Sequence, residues 1–185
     1  MLSISRLFRP YPITKLFTHT LLLLVTVVAS TTSAFASHVR AGEISVKQIS
    51  LSTFTYEITF TGYFDSVAGA EAASGQGVVS LWVTGGTSLI MPRQMPIVDL
   101  GNGISKNTYT VVHTFEREGT FELRVSIENR NANILNLGPA SEQYGFLVKS
   151  MLTVGQHTGP NSLPILLNPP IEFAAIGQRY IHNPA

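Results

Sequence analysis

Apolar and polar side chains alternate residue by residue in three stretches of this chain, and this feature limits the possible folds more than any other. Successive residues of a β-strand point to opposite faces of a sheet, so each stretch has one apolar and one polar face. The pattern predicts half-buried antiparallel strands rather than helices. The apolar positions are Phe54, Tyr56, Ile58 and Phe60; Phe121, Leu123, Val125 and Ile127; and Phe146, Val148, Leu152 and Val154.

Four shorter segments give weaker strand predictions. Their apolar positions are Ile44 and Val46; Val79, Leu81 and Val83; the segment Leu89–Val98; and Tyr109, Val111 and Phe115. Pro92 and Pro96 place the segment 89–98 at a sheet edge, because proline cannot donate a backbone hydrogen bond. Residues 116–119 are expected to join two strands as a short hairpin loop containing Gly119.

No window of the chain has sustained helical spacing, and the predicted strands number about seven. This number and spacing predict an all-β fold, an immunoglobulin-like antiparallel β-sandwich over residues 37–157. Ala, Gly and Ser dominate residues 65–77, which are interpreted as a mobile surface loop.

The composition changes again after the last predicted strand. Four prolines fall between 160 and 170, which predicts an extended, semi-rigid linker. A new apolar pattern then begins at Ile171. We therefore expect residues 158–185 to be a linker followed by the first strand of another domain, and the chain to be the amino-terminal piece of a longer protein.

Residues 1–36 have the order of parts found in a secretory signal peptide. Arg6, Arg9 and Lys15 are basic, an apolar run follows at 21–29, and small residues flank Phe35 before the predicted cleavage after Ala36. A retained membrane anchor is the alternative, but a spanning helix needs about 20 apolar residues. We expect a secreted protein, on the outer cell surface or extracellular, with no membrane span after cleavage.

Charge and cysteine content exclude several functions. The chain has 12 basic and 11 acidic residues, and loss of the three basic residues of the signal leaves an excess of two acidic ones. With no basic run, the mature chain has no electrostatic footprint for nucleic acid. The absence of cysteine excludes disulfides and a lipid-modified cysteine at the cleavage site.

No arrangement of residues in the sequence predicts catalysis, a cofactor or a metal. The four histidines after the signal lie far apart and none has ligand spacing with another: His38, His113, His157 and His182. His113 shares a strand face with Tyr109 and Phe115, so it is interpreted as a core or sheet-edge side chain. Glu116 and Glu118 are interpreted as solvated charges beside a loop. The expectation is a protein that is not an enzyme.

Two aromatic residues are candidates for a ligand platform. Trp82 is the only tryptophan and lies on an alternating strand, where packing in the core is the more common outcome. An exposed Trp82 or Tyr63 would instead offer a ring face on which a sugar could stack.

The mature sequence resembles the gliding motility-associated, or PKD-domain, surface proteins of gliding bacteria. The resemblance rests on Ser-His-Val-Arg-Ala-Gly-Glu-Ile at 37–44, Tyr-Glu-Ile-Thr-Phe at 56–60, and the segments 125–136 and 161–171. It implies a secreted, multi-domain surface protein used in adhesion or gliding, and it transfers no catalytic residues. It also implies that 161–171 leads into a cadherin- or PKD-like domain opening at 177–184. Members usually contain cysteines here and a carboxyl-terminal sorting domain, and this chain has neither.

The sequence therefore predicts a non-catalytic, amino-terminal β-sandwich module of a cell-surface adhesion or gliding protein. Its expected partners are other domains of the same polypeptide, together with a surface polysaccharide or protein. One alternative is a carbohydrate-binding accessory module of a secreted hydrolase, which requires Trp82 or Tyr63 to be exposed. Another is a stand-alone periplasmic β-protein.

Overall fold

A computed structural model describes residues 19–20, 39–138, 140–156, 161–170 and 176–179. Within these ranges the elements are β1 (Val39–Ser50), β2 (Thr55–Asp65), α1 (Ala70–Gly75), β3 (Val78–Val83), β4 (Thr87–Gly101), β5 (Ile104–Thr114), β6 (Gly119–Ile127), two 3₁₀ turns (Leu135–Leu137 and Ser141–Gln143) and β7 (Phe146–Val154). The predicted signal peptide and its cleavage site lie outside the described residues, except for 19–20. No helix in the described ranges is long and apolar enough to cross a membrane.

The seven strands form one antiparallel, nearly closed sheet in the order β1-β2-β5-β4-β3-β6-β7. The predicted all-β class with about seven strands is confirmed. The sheet has two facing halves, which share β4. The first half-sheet contains β1, β2, β5 and the part of β4 from Arg93 onward, and the second contains the part of β4 up to Pro92 with β3, β6 and β7.

Strand β4 shows how two prolines fit into the middle of the strand order. Residues 87–92 pair only with β3 and residues 93–101 only with β5 among the described strands, so each half of β4 is a local edge. Pro92 ends the first half, and Pro96 lies in the irregular stretch between Gln94 and Val98. The predicted edge position is therefore correct for each half-sheet, although β4 as a whole joins the two.

The inward faces of the strands form one core, as the alternation predicts. Tyr56, Ile58 and Phe60 are fully buried, whereas Phe54 lies in the turn before β2 with a φ of 48°. Val148 is half-buried. The other buried positions on the predicted apolar faces are Ile44, Val46, Val79, Leu81, Val83, Tyr109, Phe115, Phe121, Leu123, Val125, Ile127, Phe146, Leu152 and Val154.

The interpretation of 65–77 as a mobile surface loop is wrong, because α1 lies within it and is held against the sheet. The Arg93 guanidinium donates hydrogen bonds to the carbonyl oxygens of Ala73 (3.0 Å) and Ser74 (2.8 Å). The buried side chain of Asn107 also donates to the Ala73 carbonyl, at 3.0 Å. The segment is thus fixed by polar side chains from β4 and β5.

The predicted hairpin at 116–119 is also wrong. Strand β5 pairs with β2 and β4, whereas β6 pairs with β3 and β7. Residues 115–118 therefore cross from the first half-sheet to the second. A short loop between two alternating stretches is compatible with a hairpin and with a crossing between half-sheets. Which of the two forms is decided by the partner strands, which are distant in sequence.

The sandwich has two ends, which we call the entry end and the apex. Strand β1 begins at the entry end, where α1 and the β4–β5 turn also lie. The apex contains the β1–β2, β3–β4 and β5–β6 connections at 51–54, 84–86 and 115–118. An 11-residue strand such as β2 spans roughly 35 Å, which approximates the distance between the two ends.

Candidate functional site

The first and last strands of the order, β1 and β7, border a seam in the nearly closed sheet. At the entry end the seam is bridged by an isolated backbone pairing of Val39 with Arg130. Residues 161–166 extend along the seam from the apex side, and we call this segment the strap. Its sequence belongs to the predicted linker, but in the structure it is attached to the sandwich.

Asn161 connects the two sides of the seam. Its backbone N–H donates to the side-chain oxygen of Gln48 on β1 (2.9 Å), and its Nδ2 donates to the Thr153 carbonyl on β7 (2.5 Å). Two residues later, the Leu163 N–H donates to the Val46 carbonyl at 3.1 Å, and the Leu163 side chain packs against the core. The strap thus adds both hydrogen bonds and apolar contact to the open edge of β1.

The end of the strap is held by the Glu43 carboxylate. Glu43 Oε2 accepts the Leu166 N–H (3.1 Å), and Oε1 accepts the hydroxyl of Tyr63 (3.2 Å). Burial, together with the charge and hydrogen bond of Glu43, raises the pKa of Tyr63 to about 12. Tyr63 is only 3% exposed, so it presents no ring face to a ligand and instead supports Glu43.

The direction of the strap follows from these contacts. Residues 161, 163 and 166 contact residues 48, 46 and 43 in turn, so the strap runs antiparallel to β1. It therefore carries the chain from the apex toward the entry end, as far as Glu43, four residues from the start of β1.

A cavity of about 300 Å³ opens at the apex, between the ends of the two half-sheets. Its floor contains Phe115 and Phe121, which are 4% and 7% exposed and whose ring centroids lie 4.5 Å apart. The His113 ring meets Phe115 edge-on at 4.8 Å, and the Arg117 guanidinium lies 5.6 Å above the Phe121 ring centroid. The cavity lining is Val83, Thr84, Gly85, Thr87, His113, Thr114, Phe115, Glu116, Arg117 and Phe121.

The polar groups around the apex cavity are one acidic, one basic and several uncharged side chains. Burial lowers the pKa of His113, and the nearby Glu116 carboxylate raises it by less, so the pKa lies below its usual value. The imidazole is therefore neutral at pH 7. Glu116 and Arg117 contribute one negative and one positive charge. The Thr114 hydroxyl is ordered by a 2.9 Å hydrogen bond with that of Thr55. The site therefore has no net charge.

Sequence reasoning did not bring these apex residues together. The sequence predicts His113 and Phe115 on one strand face; in the structure their rings are in contact, although β5 ends at Thr114. Arg117 falls in the predicted hairpin loop. The signal available was a pair of apolar residues, Phe115 and Phe121, on either side of a charged loop. That pattern indicates a cavity at the apex only when the loop is known to connect the two half-sheets, because a hairpin loop would keep both residues on one half-sheet.

A larger cavity of about 490 Å³ lies at the entry end, between α1 and the end of β6. Polar side chains in and just after the two elements line it, including Glu71, Gln76, Glu128 and Asn129. It lies at the end where β1 begins. No group of three His, Cys, Asp or Glu side chains in the described ranges could hold a metal ion.

Trp82 lies on the outer face of the second half-sheet, so of the two placements that the sequence left open, core packing is not the one observed. It is half-buried, whereas its neighbour Leu81 is fully buried. The Arg124 guanidinium covers the ring at 3.9 Å from its centroid. Glu122 lies 4.0 Å from Arg124 and 3.1 Å from the Lys149 ammonium. One face of the indole is thus occupied by a cation.

These features define the class of the protein as an all-β protein with a nearly closed antiparallel sheet, a strapped seam and a cavity at the apex. The chain matches no protein-family model, and neither the curated proteins nor the solved structures contain a significant match to it. Its relation to gliding motility-associated proteins stays a prediction from the sequence.

Proposed function

We propose that this protein is a non-catalytic, secreted β-sandwich module of a cell-surface adhesion or gliding protein, and that it acts by presenting its apex away from the point of attachment. One observation carries the proposal: the strap runs antiparallel to β1 and carries the chain back from the apex toward the entry end, where β1 begins. The apex is therefore the end of the sandwich remote from the start of β1.

The contacts of the strap make this presentation rigid. Asn161 connects both sides of the seam, Leu163 packs on the core, and Leu166 is held by Glu43. Because these anchors extend over six residues, residues 161–166 take their direction from the sandwich. A flexible tether would instead allow the apex to point in any direction.

The signal-peptide pattern at 1–36 and the resemblance at 37–44 support the location part of the proposal. The test is to express the chain from Met1 in a gliding bacterium, to isolate it from cell fractions and to determine its amino terminus by mass spectrometry. We expect a mature terminus at Ser37 and digestion of the protein by protease added to intact cells. Retention of residues 1–36 in a cytosolic protein that the protease cannot reach would overturn the proposal.

A carbohydrate-binding accessory module is the second candidate, and the outward position of Trp82 favours it. In this case the indole face that Arg124 does not cover would stack on a sugar ring. Trp82→Ala should then abolish pull-down of the protein by insoluble cellulose or chitin, while Tyr144→Ala, at an exposed aromatic residue elsewhere, should leave it unchanged. Equal pull-down of both variants would exclude Trp82 as the platform.

A further inference from the structure

The two outer faces of the sandwich differ in the side chains that they expose. On the first half-sheet, outward threonines of β2 and β5 bond to each other across the strands, Thr55 to Thr114 at 2.9 Å and Thr59 to Thr110 at 3.3 Å. The outward side chains of β3, β6, β7 and residues 87–92 form what we call the second outer face. Large apolar side chains grouped on an exposed face mark an interaction surface. Four of them on the second outer face are about half exposed: Val78, Ile90, Leu147 and Met151.

The strand register places two of these apolar side chains at opposite ends of one row. Ile90 of β4 is paired with Ser80 of β3, and Leu147 of β7 is paired with Ser126 of β6. The register of β3 with β6 puts the two serines side by side. Ile90 and Leu147 therefore lie about 14 Å apart, which is three strand spacings, with two small polar side chains between them.

The neighbouring row has an aromatic ring and a cation at its centre. Trp82 of β3 is paired with Arg124 of β6, whose guanidinium lies 3.9 Å from the centroid of the indole ring. The Arg124 side chain is still 35% exposed, so part of it is open to a second contact. Glu122 lies within 4.0 Å of both Arg124 and Lys149, so these three side chains carry one excess positive charge. A strongly basic partner is therefore not favoured, and neither is a strongly acidic one.

A two-fold axis parallel to the strands makes the second outer face complementary to itself. Such an axis reverses the order of the strands across the interface, so Ile90 of one copy faces Leu147 of the other. In the neighbouring row, the Arg124 guanidinium faces the Trp82 ring of the other copy, which is an attractive contact between a cation and an aromatic ring. The two Lys149 side chains lie at opposite edges and do not repel each other. The same axis points both apices in one direction.

The size of the second outer face indicates a weak dimer. Four strands spaced about 4.8 Å apart, and the six residues of β3 rising about 3.4 Å each, give a flat area of roughly 400 Å² per copy before the relief of the side chains is counted. Stable interfaces bury about 800 Å² per partner, and transient ones bury less. We therefore expect a dissociation constant in the micromolar range.

We propose that two copies of this chain pair face to face through the second outer face, about a two-fold axis parallel to the strands. The pair buries Ile90 and Leu147 against each other and presents two apices on the same side. This inference goes beyond the proposed function and does not depend on it. It also covers the Trp82 ring, which the carbohydrate-binding candidate requires to be free.

The first test is sedimentation equilibrium of the chain, purified from a host that expresses it from Met1, over roughly 1–500 µM. We expect the average mass to rise from that of the monomer toward that of the dimer. Ile90→Asp and Leu147→Asp place a charge in the interface, and each should raise the dissociation constant roughly tenfold or more. Val112→Asp is the matched control, because Val112 is 55% exposed on the other outer face, against 60% for Ile90, and it should dimerise normally.

The second test is cross-linking, which reports the direction of the axis. The chain has no cysteine, so a short bismaleimide can react only at introduced ones. A mixture of Ile90→Cys and Leu147→Cys chains should cross-link faster than either variant alone, because the axis brings position 90 opposite position 147 and keeps like positions about 14 Å apart.

Three results would overturn this pairing: a chain that stays monomeric over the whole concentration range, equal weakening by Ile90→Asp and Val112→Asp, or faster cross-linking within one cysteine variant than in the mixture. Circular dichroism spectra that match the wild type confirm that each variant is folded. The amino-terminal and surface-protease measurements do not depend on dimerisation, so failure of the pairing and failure of the proposed function can be told apart.

Discussion

At the scale of single residues, Asp65 organises the entry end of the sandwich. Its Oδ1 accepts the backbone N–H groups of Val67 and Ala68, both at 2.9 Å, and its Oδ2 accepts a 2.6 Å hydrogen bond from Arg40. Desolvation raises the pKa of this carboxyl, but the hydrogen bonds and the charge of Arg40 lower it by more, so the pKa lies below 3.8. The ionised form of Asp65 is therefore favoured by folding.

A pH dependence of stability follows from this lowered pKa. The contribution of Asp65 is fully present above pH 3.8 and is lost as the pH falls through the lower folded-state value. Asp65→Asn removes the charge that pairs with Arg40 and should decrease the free energy of unfolding by about 2 kcal/mol at pH 7. Urea denaturation at pH 7 and at pH 3 measures the free energy of unfolding of the wild type and the variant. The difference between the two proteins should be smaller at pH 3.

The matched control for this prediction is Asp99→Asn, because Asp99 is exposed and accepts only the Gly101 N–H at 2.9 Å among the described contacts. Asp99→Asn should change the free energy of unfolding little at either pH value. An Asp65→Asn variant as stable as the wild type at pH 7 would contradict the role given to the Arg40 pair.

At the scale of elements, α1 depends on groups that lie far away in the sequence. The Arg93 guanidinium bonds to carbonyl oxygens at the end of the helix, and the Tyr109 hydroxyl donates to the Gln76 carbonyl at 2.8 Å. A helix of six residues is too short to be stable by itself, so these side chains hold it in place. Composition alone indicated a loop because it contains no information about these distant donors.

Loss of the Arg93 side chain should release α1. In Arg93→Ala, the backbone amides of residues 72–76 should exchange with deuterium at least tenfold faster, and the protein should lose about 1–3 kcal/mol of stability. Gln94→Ala is the control, because this exposed neighbour bonds only to the Pro92 carbonyl among the described contacts. Unchanged exchange in Arg93→Ala would show that packing of the buried alanines is sufficient to hold α1 against the sheet.

The strands were predictable from sequence where their signal is local. Alternation around Tyr56 and Leu123 identified the inward faces, because burial on one side of a strand leaves a two-residue period. It did not identify the strand order, since pairing of β3 with β6 and of β2 with β5 joins residues about 40 or more positions apart. The outer position of Trp82 agrees with the same two-residue period, because Val79, Leu81 and Val83 take the inward face, but the period gives no information about the arginine that covers its ring.

At the scale of the whole sandwich, the strap determines how the chain returns along β1 from the apex. Prolines at 164, 169 and 170 predict an extended segment, but extended chain can be either free or attached to a sheet edge. The deciding contacts come from Glu43, Val46 and Gln48 on β1, more than 100 residues away. For this reason the candidate site at the apex could not be located from the sequence.

Removal of the Leu163 side chain tests the attachment of the strap. Leu163→Ala should lower the free energy of unfolding by about 1–2 kcal/mol, because this half-buried side chain packs against the core. Leu167→Ala, at a position that is 83% exposed just beyond the strap, should have almost no effect in the same urea titration. Equal effects of the two substitutions would mean that the strap does not stabilise the sandwich.

The central claim is that the strap returns the chain toward the entry end, and it is tested most directly by spin-label distances. The chain contains no cysteine, so pairs of labels can be placed on cysteines introduced at Leu167 and either Lys106 at the entry end or Ser52 at the apex. Double electron–electron resonance should give a narrow distribution below about 20 Å for the pair 167–106 and a distance of roughly 30 Å for 167–52, as the strand spacing and rise require. A label at 167 that is closer to 52 than to 106, or distributed broadly with respect to both, would contradict the proposed presentation of the apex.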